Sequence, residues 1–362
     1  TSRAVPGRRH GFRSGAVTRV DLEALLAGAT PFLDVRAPAE HARGAVPQAV
    51  NLPLLDDDER HQVGLTYKTR GHDAAVALGH ELVSGAVRET RERAWLQHVE
   101  RHPDTWIYCW RGGQRSAIAQ RWLAGHGVDL PRVPGGFKAL RHACLEVLAR
   151  APGEKKWIVL AGRTGSGKTD VLRTLDNAID LEGRAAHRGS AFGATDRPQP
   201  TPVDFENALA VDYLRHRAAA VVVEDESRTI GRLAVPEAWH AHMQTAPLAL
   251  LEVPMAVRVA NIEREYVAGP LYRGIPPAAL YARLSDALGR IRRRLGGDRH
   301  RHIQAELDSA FMAAAGHGAW IERLLTWYYD PMYDYQLSGK RERVVMEGGP
   351  EEIRAFLAAE GG

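Results

Sequence analysis

Two short stretches of this 362-residue chain carry residue types whose spacing can do chemistry. In the first, Cys109 closes the apolar run 106–108 and is followed by Trp110-Arg111-Gly112-Gly113-Gln114-Arg115-Ser116, after which a helical pattern begins at Ala117. A thiol between a strand end and a helix start stands where successive backbone N–H groups turn inward. The helix N-terminus and the guanidinium groups of Arg111 and Arg115 add positive potential, which holds an anion and favours the thiolate. Gly112 and Gly113 let the backbone curl into such a cradle, and Gln114 and Ser116 complete the loop. The other cysteine, Cys144, lies on a helical run beside His142 with no glycine loop, and reads as a buried structural thiol.

The second stretch, Gly162-Arg163-Thr164-Gly165-Ser166-Gly167-Lys168-Thr169, matches the phosphate-binding P-loop and sits between an apolar strand, 157–161, and a helical run, 170–175. Its glycines let backbone N–H groups surround phosphate oxygens. Lys168 bridges those oxygens as a point charge, and the Thr169 hydroxyl can ligate Mg²⁺. After the Ala/Val run 218–223 come Glu224, Asp225, Glu226 and Ser227, where P-loop proteins place an acidic residue that orients the metal. Asp225 is the expected partner of Thr169 in holding Mg²⁺, with Glu224 and Arg228 beside it. His187, Arg188 and Ser190 lie in a glycine-containing loop and could complete a diphosphate or base site. Such a loop signals phosphate binding and not ATP hydrolysis, since other diphosphate esters fit the same cradle.

Further along, Arg290, Arg292, Arg293, Arg294, Arg299 and Arg301, with His300 and His302, concentrate positive charge on a helix and its exit. Contact with nucleic-acid phosphates is one reading, and a solvated helix face paired with Asp286 and Asp298 is the other. Trp327, Tyr328, Tyr329, Tyr333 and Tyr335 could stack a base, line an apolar pocket or form a packed core patch.

The elements that must position these groups follow from the pattern. A length of 362 residues suits two domains, and 44% hydrophobic with 25% charged residues suits a globular fold. Two cysteines are too few for a disulfide framework. No stretch approaches a bilayer span and the opening lacks the apolar run of a signal peptide, so a cytoplasmic protein that does not enter membranes is expected. The fold expected is α/β. After a flexible basic arm, 1–16, comes a parallel-sheet domain over 17–150, with strands near 31–35, 49–52 and 106–109. A helix from 136 to 148 leads to the polar joint Ala-Pro-Gly-Glu-Lys-Lys, then a P-loop α/β domain over 151–276 and a mainly helical region, 277–362.

Leu33-Asp34-Val35-Arg36 with Glu40, and Gly44-Ala45-Val46-Pro47-Gln48-Ala49-Val50-Asn51-Leu52-Pro53, resemble the two N-terminal signatures of rhodanese domains. Cys109 falls where that family carries its persulfide-forming cysteine, and Asp34 and Arg36 fall where it carries fold-supporting residues. Five residues separate Cys109 from Arg115, as in the related dual-specificity phosphatases, where many sulfurtransferases have four. The order of the two domains, together with Gly64-Leu65-Thr66-Tyr67-Lys68, Gly135-Gly136-Phe137-Lys138, Asp180-Leu181-Glu182-Gly183, His187-Arg188-Gly189-Ser190-Ala191-Phe192-Gly193, Glu224-Asp225-Glu226-Ser227-Arg228 and Tyr328-Tyr329-Asp330-Pro331-Met332-Tyr333, resembles the family of tRNA 2-selenouridine synthases over nearly the whole chain.

That resemblance implies a transferase acting on tRNA that carries 2-thiouridine at the wobble position. Geranyl diphosphate would alkylate the thiocarbonyl sulfur, and selenophosphate would then supply the selenium that displaces geranylthiol. It further implies that Cys109, with Arg111 and Arg115, handles selenium, and that the loop 162–169 takes the diphosphate. A phosphatase or sulfurtransferase with a regulatory nucleotide-binding P-loop domain is the alternative that the loop length leaves open.

Overall fold

The computed structural model describes residues 20–313 and 315–361, so the arm expected at 1–16 lies outside the described residues. The first unit is a parallel sheet in the order Ala49–Asn51, Phe32–Asp34, Trp106–Tyr108, in register Phe32 to Ala49 and Phe32 to Trp106. Helices flank it, including the hairpin pair Asp57–Arg70 and His72–Leu82 and the helix Gln114–Gly125 that follows the thiol.

The second unit is a five-stranded parallel sheet, ordered Val344–Gly348, Leu248–Leu251, Lys156–Ala161, Ala220–Glu224, Ala178–Ile179. Its central strands are continuous apolar runs because both faces are covered. Trp157, Val159 and Ala161 pack into one core cluster with residues of the helices Gly136–Glu154 and Pro202–Arg215. Ile158 and Leu160 face the opposite way, onto Val171, Leu172, Ile353 and Leu357. The region after 277 is mainly helical, as expected, and has its own core around Leu284, Ile291, Ile303 and Trp320. It is nevertheless not a separate appendage, since its strand Val344–Gly348 completes the sheet beside Leu248–Leu251.

The expected joint after residue 148 is helical instead: one helix runs Gly136–Glu154 with Pro152 inside it. Proline cannot bond back to the carbonyl four residues earlier. That carbonyl, of Leu148, accepts from Trp239 Nε1 at 3.0 Å, so the helix continues without leaving a buried acceptor unmet.

The two units share a hydrophobic cluster that includes Leu26, Phe32 and Tyr108 of the first and Trp157, Phe205 and Leu209 of the second, and a corner of the first is fixed there by hydrogen bonds. The Ala45 amide donates to Asp204 Oδ1 at 2.8 Å, and Asn207 Nδ2 donates to the Ala45 carbonyl at 2.8 Å. Gly44, at φ +144°, lies so close to the helix Pro202–Arg215 that an added Cβ would fall 2.3 Å from Val203 Cγ1. A Gly44→Ala change should therefore force the corner off the helix and cost about 1–3 kcal/mol. A lowered midpoint in thermal or urea unfolding is the expected result, and an unchanged midpoint would contradict this account of the docking.

Candidate active site

The strand Trp106–Tyr108 delivers Cys109 onto the floor of its loop, 3% exposed, with Sγ 3.4 Å from Ser116 Oγ. Ser116 in turn donates to the Gly113 carbonyl at 3.1 Å, from the first turn of the helix Gln114–Gly125. Gly112 and Gly113 do permit the tight curl, with Gly112 at φ +63°. A second element closes the loop from below. The amides of Phe137 and Lys138 donate to the carbonyls of Cys109 and Trp110 at 2.9 and 3.0 Å. Gly136 makes this approach possible: at φ +61°, a Cβ there would fall 2.2 Å from the Cys109 carbonyl oxygen.

Charge around the thiol is arranged differently from the simplest expectation. Arg115 is bound by Glu40, through Nη1 to Oε2 and through Nη2 to Oε1 at 3.1 Å. Burial raises the Glu40 carboxyl, but the bonds from Arg115 outweigh it and hold it below its usual range. The pair is therefore charged and largely self-neutralised. Arg111 is exposed, and Gln114 reaches across to the His72 ring at 2.5 Å. A phosphatase needs the loop arginine on its substrate's phosphate, which Glu40 opposes here. Cys144 is fully buried, and burial pushes its thiol up to about 12, in keeping with a structural role.

The P-loop leaves the strand Lys156–Ala161 and enters the short helix Lys168–Leu172. It is braced from outside: Arg258 Nε donates to the Thr164 carbonyl at 2.9 Å and Asn261 Nδ2 to the Gly165 carbonyl at 2.9 Å, while Arg258 is itself paired with Asp330. Lys168 Nζ rests on the Gly162 carbonyl at 2.8 Å. Ser166 Oγ is buried without a partner among the described residues. Arg163 turns away from the phosphate side, to Asp334 at 2.7 Å and Glu252 at 3.3 Å.

Above the loop opens a cleft of about 800 Å³. The loop from Gly162 to Thr169, Arg163 apart, forms its base, and Arg188, Ser190, Arg290, Arg293, Arg294, Tyr328, Tyr329 and Tyr333 form its walls. Two π-helical turns, Arg264–Ala268 and Leu325–Tyr329, aim Tyr266 and the Tyr328–Tyr329 pair into it. Three of the six arginines expected to meet phosphate thus face the P-loop. Of the rest, Arg292 is exposed, Arg299 donates to the Trp327 carbonyl at 3.3 Å and Arg301 pairs with Asp298. Among the aromatics, Tyr335 is 82% exposed and Trp327 lies beside Arg299 and Arg323 instead. His187 is held low by burial and by Arg290, with Nδ1 buried and without a partner among the described residues, and Arg228 is exposed beyond the cleft.

The acidic residues differ most from expectation. Asp225 lines the cleft, yet both its oxygens are taken by Lys340 Nζ, at 2.7 and 3.0 Å. Glu224 is wholly buried and accepts from the Leu181 amide at 2.9 Å, and burial pushes its carboxyl well up. The carboxylates that do face Lys168 are Glu182 and Glu226. Burial, then mutual repulsion, raises Glu182 to about 8, so the pair keeps a proton at neutral pH. Sequence spacing missed Glu182 because it follows a different strand. The described residues contain no group of three or more His, Cys, Asp or Glu able to hold a metal, and Asp225 is committed to Lys340. These residues as placed do not fit the Mg²⁺ site expected of Thr169 and Asp225, and no step is assigned to that ion.

A thiol loop on a small parallel sheet, packed against a P-loop sheet with an arginine- and tyrosine-walled cleft, defines a rhodanese-like domain fused to a P-loop domain. Residues 18–143 match the model of the rhodanese-like domain, and residues 155–361 match that of the tRNA 2-selenouridine synthase AAA domain. The tRNA 2-selenouridine synthase of Bordetella bronchiseptica is 48% identical over 358 residues, which cover 94% of this chain and 97% of that one. That of Marinobacter nauticus is 47% identical over 89% of this chain and 92% of its own length, and that of Sulfurovum sp. 45% over 93% and 97%. The chain belongs to the tRNA 2-selenouridine synthase family, and is a transferase.

Two measurements test this geometry. Iodoacetamide at neutral pH should label Cys109 at least about tenfold faster than Cys144, read by peptide mass spectrometry; equal labelling would contradict the assignment. Diphosphate binding should weaken as pH rises through about 8, because the Glu182–Glu226 pair then loses its proton and gains negative charge beside Lys168. Glu182→Gln should flatten that dependence in a calorimetric titration.

Proposed function

We propose that this protein replaces sulfur by selenium in 2-thiouridine at the wobble position of tRNA, in two steps divided between its two cradles. The observation that carries the reading is a narrow apolar crevice opening from the P-loop cleft. Phe192, Leu284, Trp320 and Leu324 line it, and it shares Thr164, Ser190, Ile262, Tyr266 and Tyr329 with the cleft. The crevice holds only about 20 Å³ as it stands and must widen to take a hydrocarbon chain; a polyphosphate grip beside such an apolar lining suits a prenyl diphosphate better than a nucleotide, whose base and ribose need polar partners.

In the first step the thiocarbonyl sulfur attacks the allylic carbon of geranyl diphosphate. The C–S bond forms as the C–O bond breaks, the diphosphate leaves with the electron pair, and the base gives up its ring N–H proton. Lys168, the loop amides and Arg290, Arg293 and Arg294 meet the negative charge that develops on the leaving group. Alkylation turns a poor leaving group into a good one. In the second step the selenium of selenophosphate adds to the ring carbon that bears the alkylated sulfur, geranylthiolate departs with the C–S electron pair, and water then takes the phosphoryl group as the P–Se bond breaks, releasing phosphate. Cys109 works at this step on the selenium donor, with Arg111 and the amides of the loop holding the anion. The exposed Arg292, Arg299 and Arg301 extend the positive face along which a tRNA backbone lies. Such a substrate places the protein in the cytoplasm.

The test is an incubation with 2-thiouridine tRNA, geranyl diphosphate and selenophosphate, each omitted in turn, with nucleosides read by mass spectrometry. Cys109→Ala should accumulate S-geranyl-2-thiouridine and make no 2-selenouridine. Lys168→Ala should lose geranylation by at least about 100-fold yet still selenate tRNA supplied already geranylated. Loss of both steps in the Cys109 variant would overturn the division.

A further inference from the structure

A second cavity, of about 110 Å³, lies in the rhodanese-like unit beside the thiol loop, and its interior has no role in the sites described so far. The hairpin Asp57–Arg70 and His72–Leu82 forms one side of it, and Ile118 and Trp122 of the thiol-loop helix form the other. Its interior is apolar, with Leu54, Leu55, Val63 and Val83 in the same packed cluster as Cys109. Its rim is polar and belongs to the thiol loop: Gln114 and Arg115 stand there, and His72 meets Gln114 across it.

One residue keeps this space open. Gly79 lines the cavity in the middle of the helix His72–Leu82, where glycine is disfavoured relative to alanine. Nothing crowds it, since an added Cβ would come no nearer than 3.8 Å to Val63 Cγ2, and its φ is not in the left-handed region. Packing therefore does not demand a glycine there, and the bare position leaves a void that a close-packed core would otherwise fill.

We propose that this cavity receives the prenyl chain of the alkylated base during selenation, so that each anion cradle has its own hydrocarbon slot. The inference rests on the two-step reading above. In the second step the ring carbon must come to the thiol loop while its sulfur still carries ten carbons, and the chain then needs an apolar berth beside that loop. The rim residues stay with the polar ring and the selenium anion, and the interior takes the hydrocarbon. Binding the chain here makes selenation selective for the prenylated base over short thioethers.

The test compares two tRNAs, one bearing S-geranyl-2-thiouridine and one bearing S-methyl-2-thiouridine, as selenation substrates of the full-length protein. Gly79→Ala, which adds only a methyl group, should leave both rates unchanged. Gly79→Leu and Gly79→Phe fill the cavity, and displacing even two buried carbons should lower kcat/KM for the geranyl substrate about tenfold or more. Selenation of the methyl substrate and geranylation at the P-loop should stay as in the unaltered protein. Val76→Phe, at a half-buried lining position, reads the same effect should a Gly79 variant fail to fold. Equal effects on the two substrates, or none on the geranyl one, would overturn the proposal. Failure of the unaltered protein to selenate the geranylated tRNA would instead bring down the two-step reading, and the cavity's role with it.

Discussion

The guanidinium of Arg36 is the point on which the rest of the molecule depends. Neither it nor its partner Asp34 has any exposed side-chain surface, and Arg36 Nη2 meets Asp34 Oδ2 at 2.7 Å while Nε lies 2.9 Å from the same oxygen. Burial alone would raise the Asp34 carboxyl, but hydrogen bonds from His41 and Arg36 hold it below its usual range, so the pair is ionic. Removing one member of such a pair strands the other, typically at a cost of about 3–5 kcal/mol. Here more than stability is attached. Arg36 Nη2 also donates to the Gly44 carbonyl at 2.9 Å, which holds the corner that docks on the helix Pro202–Arg215. Its other face lies 3.9 Å from the centre of the Phe137 ring, and the Phe137 amide supports the Cys109 carbonyl. One buried cation thus ties the floor of the thiol loop to the interface between the domains.

The two cradles handle charge in opposite ways. At the thiol loop the guanidinium of Arg115 is already matched by Glu40, leaving helix terminus, amides and the exposed Arg111 to attract a small anion. At the P-loop the cationic wall is extensive, and Glu182 and Glu226 temper it through a shared proton. On the proposed reading, in which this cleft takes up a diphosphate and releases it again, a net charge that can shift by one proton serves both demands.

What could be read from the sequence was whatever is local. The P-loop, the thiol loop and their flanking strands are each set by fewer than about ten consecutive residues whose glycines and apolar runs have one geometric meaning. The strands Phe32–Asp34, Ala49–Asn51 and Trp106–Tyr108 and the strand Lys156–Ala161 fall where alternation and composition place them. Contacts between distant segments were not legible. Lys340 lies 115 positions from Asp225, and no spacing rule announces that it takes both oxygens of that carboxylate. Glu182 faces Lys168 only because the strand Ala178–Ile179 lies beside Ala220–Glu224. Pro152 reads as a helix stop in isolation, and it is tolerated because Trp239, far along the chain, satisfies the carbonyl that proline releases. In each case a tertiary partner overrides a local signal.

The same helix lies in the hydrophobic cluster that joins the two domains, which holds Phe32 and Tyr108 of the first together with Trp157 and Val221 of the second. Its first turn supports the thiol loop, and Lys155 alone separates its end from the strand that leads to the P-loop. Nineteen residues of helix run roughly 28 Å. The six-residue strand that follows covers roughly 20 Å. Helix and strand share one core cluster with a single linking residue between them, so the chain must double back. Doubling back carries the P-loop toward the end at which the thiol loop stands. On the two-step proposal, a flexible linker would let the two cradles drift, and each transfer of the base between them would then carry the entropy of a new encounter. A continuous helix, packed in one cluster with the helix Pro202–Arg215 on which the Gly44 corner docks, limits that freedom before substrate arrives.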